Sequence, residues 1–159
     1  DGLDVEALIA AKAEGGSVLD VQGGSHGPVE AVIDVACDVW IPCARPDVIH
    51  EKNVERLDTK LILQGANIPI TPDAEAALHA RGILSVPDFV ANAGGVICAA
   101  VEYRGGTERD ALEEIEEKIT RNTRGVLTRC RDEKLQPRQA AVKLSRERVK
   151  VAMELRADT

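Results

Sequence analysis

Ser85-Val86-Pro87-Asp88-Phe89-Val90-Ala91-Asn92-Ala93-Gly94-Gly95-Val96 is the stretch on which the fold turns. It reads as the end of a strand, a Pro-Asp corner, and a helix over about Phe89 to Glu102 that opens at Asn92. Two adjacent glycines at a helix start cost backbone entropy. Such a cost is usually offset by the close approach of another backbone or of a ligand to free N–H groups. Gln64-Gly65-Ala66-Asn67 is built the same way, ending a strand before Thr71-Pro72 opens another helix. Two Asn side chains are thus expected at neighbouring strand ends. An amide carries both a donor and an acceptor, so the pair suits a carboxamide or sugar hydroxyls. Taken singly, Asn67 reads equally well as a turn residue that tolerates positive φ, and Asn92 as a helix cap.

Outward from that stretch the pattern is regular. Val39 to Pro42, Leu61 to Leu63 and Ile83 to Val86 are short apolar runs that start about 22 residues apart. Helix-like segments lie between them, His50 to Leu57 and Thr71 to Arg81. For the second, Thr71 is the N-cap candidate, Pro72 suits the first helical position and Gly82 closes the helix. Apolar strands alternating with helices imply parallel pairing. The fold class is therefore α/β. Two long helices follow, Glu108 to Asp132 and Pro137 to about Leu155. The first places Leu112, Ile115, Ile119, Val126 and Cys130 on one stripe, with the Glu113–Glu117 run as its solvated face. In an open parallel sheet, ligands bind at the carboxyl ends of the strands, where Asn67, Asn92 and the Pro42-Cys43-Ala44 corner fall.

The N-terminal part reads differently. Asp4 to Glu14 is an expected amphipathic helix with Val5, Leu8 and Ile9 on one side, capped by Asp4 and stopped by Gly15-Gly16. Ser17 to Val21 is expected as a short strand and Val29 to Ala36 as a short helix. Between them, Gln22-Gly23-Gly24-Ser25-His26-Gly27-Pro28 falls short of a dinucleotide fingerprint. Gln22 occupies the first glycine position of G-x-G-x-x-G, and Pro28 removes an amide that would cradle phosphate. It reads as a plain turn.

Composition narrows the function. A hydrophobic content of 44% supplies a core, so disorder is not indicated. Aromatic content of 2% leaves little to stack on bases, and a net charge of −7 argues against nucleic acid as partner. No apolar run is long enough to span a membrane, and no secretory signal is seen. Cys37, Cys43, Cys98 and Cys130 form no C-x-x-C and have apolar neighbours, so they are expected as buried, reduced thiols of a cytoplasmic protein. His26, His50 and His79 are too scattered for a metal site. The chain starts at Asp1-Gly2 without Met, which fits a fragment or a processed product and equally an artificial start.

Gln64-Gly65-Ala66-Asn67 with Pro69, Thr71 and Pro72, then Asn92-Ala93-Gly94-Gly95-Val96, and before both Cys37 to Ala44, resemble in that order the signatures of the glutamate/leucine/phenylalanine/valine dehydrogenases. The resemblance runs from about Asp1 to Arg156. It implies the second half of a Rossmann-like, mainly parallel sheet with covering helices and two long C-terminal helices. Residues 1–104 would be a partial NAD(P)-binding domain, and residues 105–159 helices packed on it. It implies NAD or NADP as cofactor and reversible oxidative deamination of L-glutamate or a branched-chain or aromatic amino acid to the 2-oxo acid and ammonia. Pro42, Cys43 and Ala44 would line the coenzyme, Asn67 would face the nicotinamide ribose and Asn92 the carboxamide. Val96 and Ala99, three apart on one helix face, would point at the substrate side chain.

This sequence departs from the family's habit at three places. Gln64 stands where Glu is frequent, removing a charge near the crevice. Cys43 replaces an Ala, and Ala99 stands where glutamate-specific members tend to have Ser. The family's glycine-rich phosphate loop and its substrate domain, with catalytic lysines, are not found in these residues. No catalytic residue is therefore expected here, and this chain alone is expected to be inactive. Lys12, Lys52, Lys60 and Lys118 read as solvated surface. The whole protein would be a homo-oligomer whose missing N-terminal domain meets the substrate. The alternative is a non-catalytic nucleotide-binding or interaction module derived from a Rossmann half, or a domain whose asparagines only cap and turn.

Overall fold

The structure is a computed structural model that describes residues 2–157. Two compact units divide the chain, one up to Val35 and one from Ala36 onward.

The first unit is mostly turns. Helix α1 (Val5–Ala13) is capped by Asp4, whose Oδ1 accepts from the Ala7 amide at 3.0 Å, and Gly15 turns out of it at φ +81°. None of its residues is buried, so the expected apolar side of Val5, Leu8 and Ile9 is not put to use as a core face. The expected strand over Ser17 to Val21 is instead a 3₁₀ turn, Val18–Asp20. Its ends decide the matter: Ser17 Oγ accepts from the Leu19 amide at 3.2 Å, and Asp20 Oδ2 accepts from the Ser17 amide at 2.9 Å. This reciprocal cap competes locally with a strand that would need a distant partner. Val29–Asp34 is also 3₁₀ rather than a regular helix. The Gln22–Pro28 loop thus lies between two 3₁₀ turns, not between a strand and a helix.

The second unit holds a three-stranded parallel sheet in the order β1-β2-β3, with β1 at Cys37–Trp40, β2 at Thr59–Leu63 and β3 at Leu84–Val86. Between β1 and β2 the expected helix over His50 to Leu57 is a turn ending in a 3₁₀ segment, Val54–Arg56. Asn53 explains the difference. Its Oδ1 accepts from the His50 amide at 2.9 Å and its Nδ2 donates to the Val48 carbonyl at 2.9 Å, satisfying in a turn what a helix would otherwise bond. Arg81 then donates to the carbonyls of Val54 and Leu57, each at 2.6 Å. Helix α2 (Pro72–Ala80) joins β2 to β3 with Thr71 as N-cap, Pro72 at its first position and Gly82 at φ +76° after it, as expected.

Two further departures concern the helices. The stretch from Phe89 is not one helix but two, α3 (Asp88–Ala91) and α4 (Gly94–Tyr103). Helix α5 (Glu108–Glu133) starts in a capping box of Thr107 and Asp110, and α6 (Pro137–Ala157) follows it. On α5, Leu112 is exposed and Ala111 takes the buried place. Glu114 is only partly solvated, because Arg104 at the end of α4 donates to both its oxygens at 2.9 Å.

Both faces of β2 and β3 are covered, while β1 holds no buried residue. Val86 and Val90 bury against Val126 of α5 and Ala140 and Ala141 of α6, with Leu61 and Leu63 packed on them. Ile62, pointing the other way by strand alternation, is buried with Leu78, Leu57 and Ile49. The four cysteines are free thiols, but none is buried: Cys43 is exposed and the other three are half-buried. With so few aromatics, the core is filled by branched aliphatics and alanines, and the thiols sit at its margin.

Candidate functional site

Beyond the carboxyl ends of the three strands the chain gathers its polar groups. The Ala66 amide donates to the Pro42 carbonyl at 2.7 Å, drawing the turn after β2 against the corner after β1. Gly65 permits that approach, since a Cβ there would lie 2.6 Å from Cys43 Sγ. Pro42 is buried, while Cys43 and Ala44 are exposed beside it. On the other side Asn92 Nδ2 donates to Asn67 Oδ1 at 2.8 Å and to the Gly65 carbonyl at 3.3 Å. The structure therefore brings Pro42, Cys43, Asn67 and Asn92 into one cluster at the ends of adjacent strands.

Neither asparagine is explained by local turn chemistry. Asn92 closes α3 rather than opening α4, whose first position is preceded by Ala93 with no side-chain cap. Its amide donates, whereas an N-cap side chain must accept. The left-handed residue of the turn after β2 is Ile68, at φ +43°, not Asn67. Asn67 Nδ2 and Asn92 Oδ1 have no partner among the described residues. One donor and one acceptor are thus left without a partner among the described residues, groups that suit a carboxamide or sugar hydroxyls. Val96, 77% exposed, and Ala99 lie on the open side of α4, opposite the buried pair Ile97 and Val101. Around Gly95 a Cβ would meet nothing within 4 Å.

Gln64 behaves unlike its expectation. It is fully buried and faces away from the strand-end crevice, where Nε2 donates to Glu75 Oε1 at 2.6 Å and to Ser85 Oγ at 3.0 Å. Its Oε1 accepts from Arg138 Nη2 at 3.0 Å. A Glu here would place its charge among Glu75 and Arg138, not in the crevice.

Arg138 and Asp88 are the residues that sequence reasoning passed over. Arg138 grips Glu75 through Nε at 2.6 Å and Nη2 at 2.8 Å, and its Nη2 lies 3.0 Å from Asp88 Oδ1. That last contact is electrostatic, without the alignment of a hydrogen bond. Asp88 Oδ2 accepts from the Ile68 amide at 2.8 Å. Burial alone would push the Asp88 carboxyl up, but the Ile68 amide and the Arg138 guanidinium outweigh it and hold it below the usual range. The Pro-Asp corner was visible in sequence. Its cation, 50 residues further on, carried no signal.

A parallel sheet with side-chain amides gathered at its carboxyl edge places polar groups where open α/β folds bind their ligands. Residues 1–157 match the family model described as Glutamate/Leucine/Phenylalanine/Valine dehydrogenase. A glutamate dehydrogenase of Aeropyrum pernix is 36% identical over 98% of this chain, and the match covers 40% of that relative. An NADP-specific glutamate dehydrogenase of Saccharolobus shibatae is 36% identical over 74% of this chain and 28% of its own length. The hetero-hexameric glutamate dehydrogenase of Thermus thermophilus aligns with a TM-score of 0.79 at 26% identity, covering 98% of this chain and 38% of that one. The chain belongs to the Glu/Leu/Phe/Val dehydrogenase family, and it spans less than half the length of these relatives.

Proposed function

We propose that this chain is the C-terminal, coenzyme-side part of an NAD(P)-dependent amino-acid dehydrogenase. The observation that carries the reading is the Asn67–Asn92 pair, joined at 2.8 Å across two strand ends with one donor and one acceptor left open. Bound there, a nicotinamide coenzyme supplies the hydride acceptor for reversible oxidative deamination of an amino acid to its 2-oxo acid and ammonia. Asn92 holds the carboxamide, Asn67 the adjoining ribose, and Pro42, Cys43 and Ala44 line the approach. Their work is to fix one ring face toward the substrate, because small misplacement of reacting atoms is costly in rate.

Val96 and Ala99 form the end of the pocket that meets the substrate side chain. Both are apolar, and a γ-carboxylate would need a cation from elsewhere, since burying it unpaired is costly. The substrate is L-glutamate, favoured by the glutamate dehydrogenases among the relatives, or a branched-chain or aromatic amino acid. In this reading residues 1–104 hold the coenzyme, residues 105–159 cover the sheet, and a preceding domain brings the catalytic lysines in a cytoplasmic homo-oligomer.

The test is Asn92→Ala in the whole gene product. Losing a hydrogen bond to an uncharged group costs about 0.5–1.5 kcal/mol, roughly a twofold to tenfold rise in coenzyme KM. Steady-state kinetics with NADH and NADPH measures it. Coenzyme KM and kcat both at wild-type values in a folded variant would sink the assignment.

A further inference from the structure

The turn after β2 is held in a shape its sequence does not favour. Ile68 is β-branched, exposed, and at φ +43°, where such side chains crowd their own backbone. Two bonds keep it there: its carbonyl accepts from the Asp47 amide at 3.0 Å, and its amide donates to Asp88 Oδ2 at 2.8 Å. The other asparagine is tied to the same turn, because Asn92 Nδ2 donates to Asn67 Oδ1 at 2.8 Å. One buried carboxylate therefore holds the turn that carries Asn67, through its neighbour Ile68, and Asn92 is bonded to Asn67 in turn.

Asp88 in turn depends on α6. The Arg138 guanidinium is the cation beside it, and that cation is fixed by Glu75, by Gln64 and by the Phe89 ring, 5.6 Å from its centroid. Without Arg138 the Asp88 carboxylate would share a buried region with Glu75 and no neutralising charge. Such a group takes up a proton or turns toward water, and either change weakens its hold on the Ile68 amide.

We propose that Arg138, acting through Asp88, is a positioning residue that sets the strand-end loop at Ile68 and with it the Asn67–Asn92 pair. Its consequence for coenzyme rests on the function proposed above; the coupling itself does not. Glu75 and Gln64 already take the Nε hydrogen and both Nη2 hydrogens, so the approach to Asp88 adds charge beside that carboxylate rather than a further hydrogen bond.

The experiment compares Arg138→Met, Asp88→Asn and the double variant in the whole gene product. Backbone hydrogen exchange is followed by mass spectrometry over peptides spanning residues 64–70, beside coenzyme KM with NADH and NADPH. Exchange in that segment is expected to quicken tenfold or more in each single variant, well below its melting temperature. The double variant is expected to be no faster than the faster single one, because both cut the same thread. Coenzyme KM is expected to rise at least threefold. Wild-type exchange at 64–70 in a variant whose Tm has fallen would overturn the proposal, as would fully additive effects in the double. Quickened exchange with unchanged KM would support the coupling and instead overturn the placement of coenzyme at Asn67 and Asn92. If Arg138→Met does not fold, Asp88→Asn alone gives the exchange result, since it keeps the shape and removes the charge.

Discussion

At the left-handed position of the turn after β2, a β-branched side chain costs about 1–2 kcal/mol relative to an ordinary conformation. Ile68 also leaves more than half of its surface in water, so little burial offsets the cost. Asn visits the left-handed region far more readily. Ile68→Asn is therefore expected to stabilise the chain by about 1 kcal/mol, read as a rise in the denaturant midpoint; a fall would mean that the Ile side chain has contacts which outweigh the strain. The two asparagines beside it were legible in the sequence because each follows an apolar strand and precedes a helix start. Ile68 itself was not, since nothing in an Asn-Ile-Pro run says which residue takes the positive φ. Read singly, Asn67 could equally have been the residue of positive φ; that position falls one residue later, at Ile68.

Among the elements, regularity in sequence translated well where caps were unambiguous. Thr71-Pro72 and Gly82 bound α2, and the strands before and after it sit where the apolar runs do. Three of the departures share a cause, a side chain that satisfies the backbone locally or from a distance. Asn53 replaces a helix by a turn, Ser17 and Asp20 replace a strand, and Asn92 donates across to Gly65 and Asn67 in place of capping the next helix. The tie of α6 to the sheet was illegible for another reason, that Arg138 meets partners 50 to 74 positions earlier. That tie has a pH signature. Asp88 is held below 3.8, so it adds stability that is fully present above that value and is lost as pH falls through its lower folded pKa. Wild type is expected to be more stable than Asp88→Asn at pH 7, with the gap closing only in the acid range below pH 3.8. Chemical denaturation of both proteins from pH 7 to pH 2 measures this. A gap independent of pH would show that Asp88 contributes shape rather than charge.

For the whole molecule, the sheet edge matters most. Strand β1 pairs with β2 on one side only among the described residues, and Val39 within it and Ile41 just after it stand 44% and 54% exposed. All-parallel sheets are normally covered, and an open apolar edge offers unpaired backbone groups to another chain. Asp38 pairs with Lys60 of β2, a solvated ion pair that does little to block pairing. The isolated 159-residue chain is therefore expected to self-associate. Its net charge of −7 opposes that at low ionic strength, and salt screens the repulsion beyond about 10 Å at 0.1 M. Association should thus strengthen between low salt and about 0.2 M salt, the reverse of an assembly held by ion pairs. Light scattering coupled to gel filtration at two salt concentrations decides between them. A monomer at both, at high protein concentration, would show that the β1 edge is protected in solution. Lys60→Glu is a second test: it adds negative charge beside β1 and should loosen the self-associated form, and because it sets two acids opposite each other on β1 and β2, a small loss of denaturant stability is expected beside it.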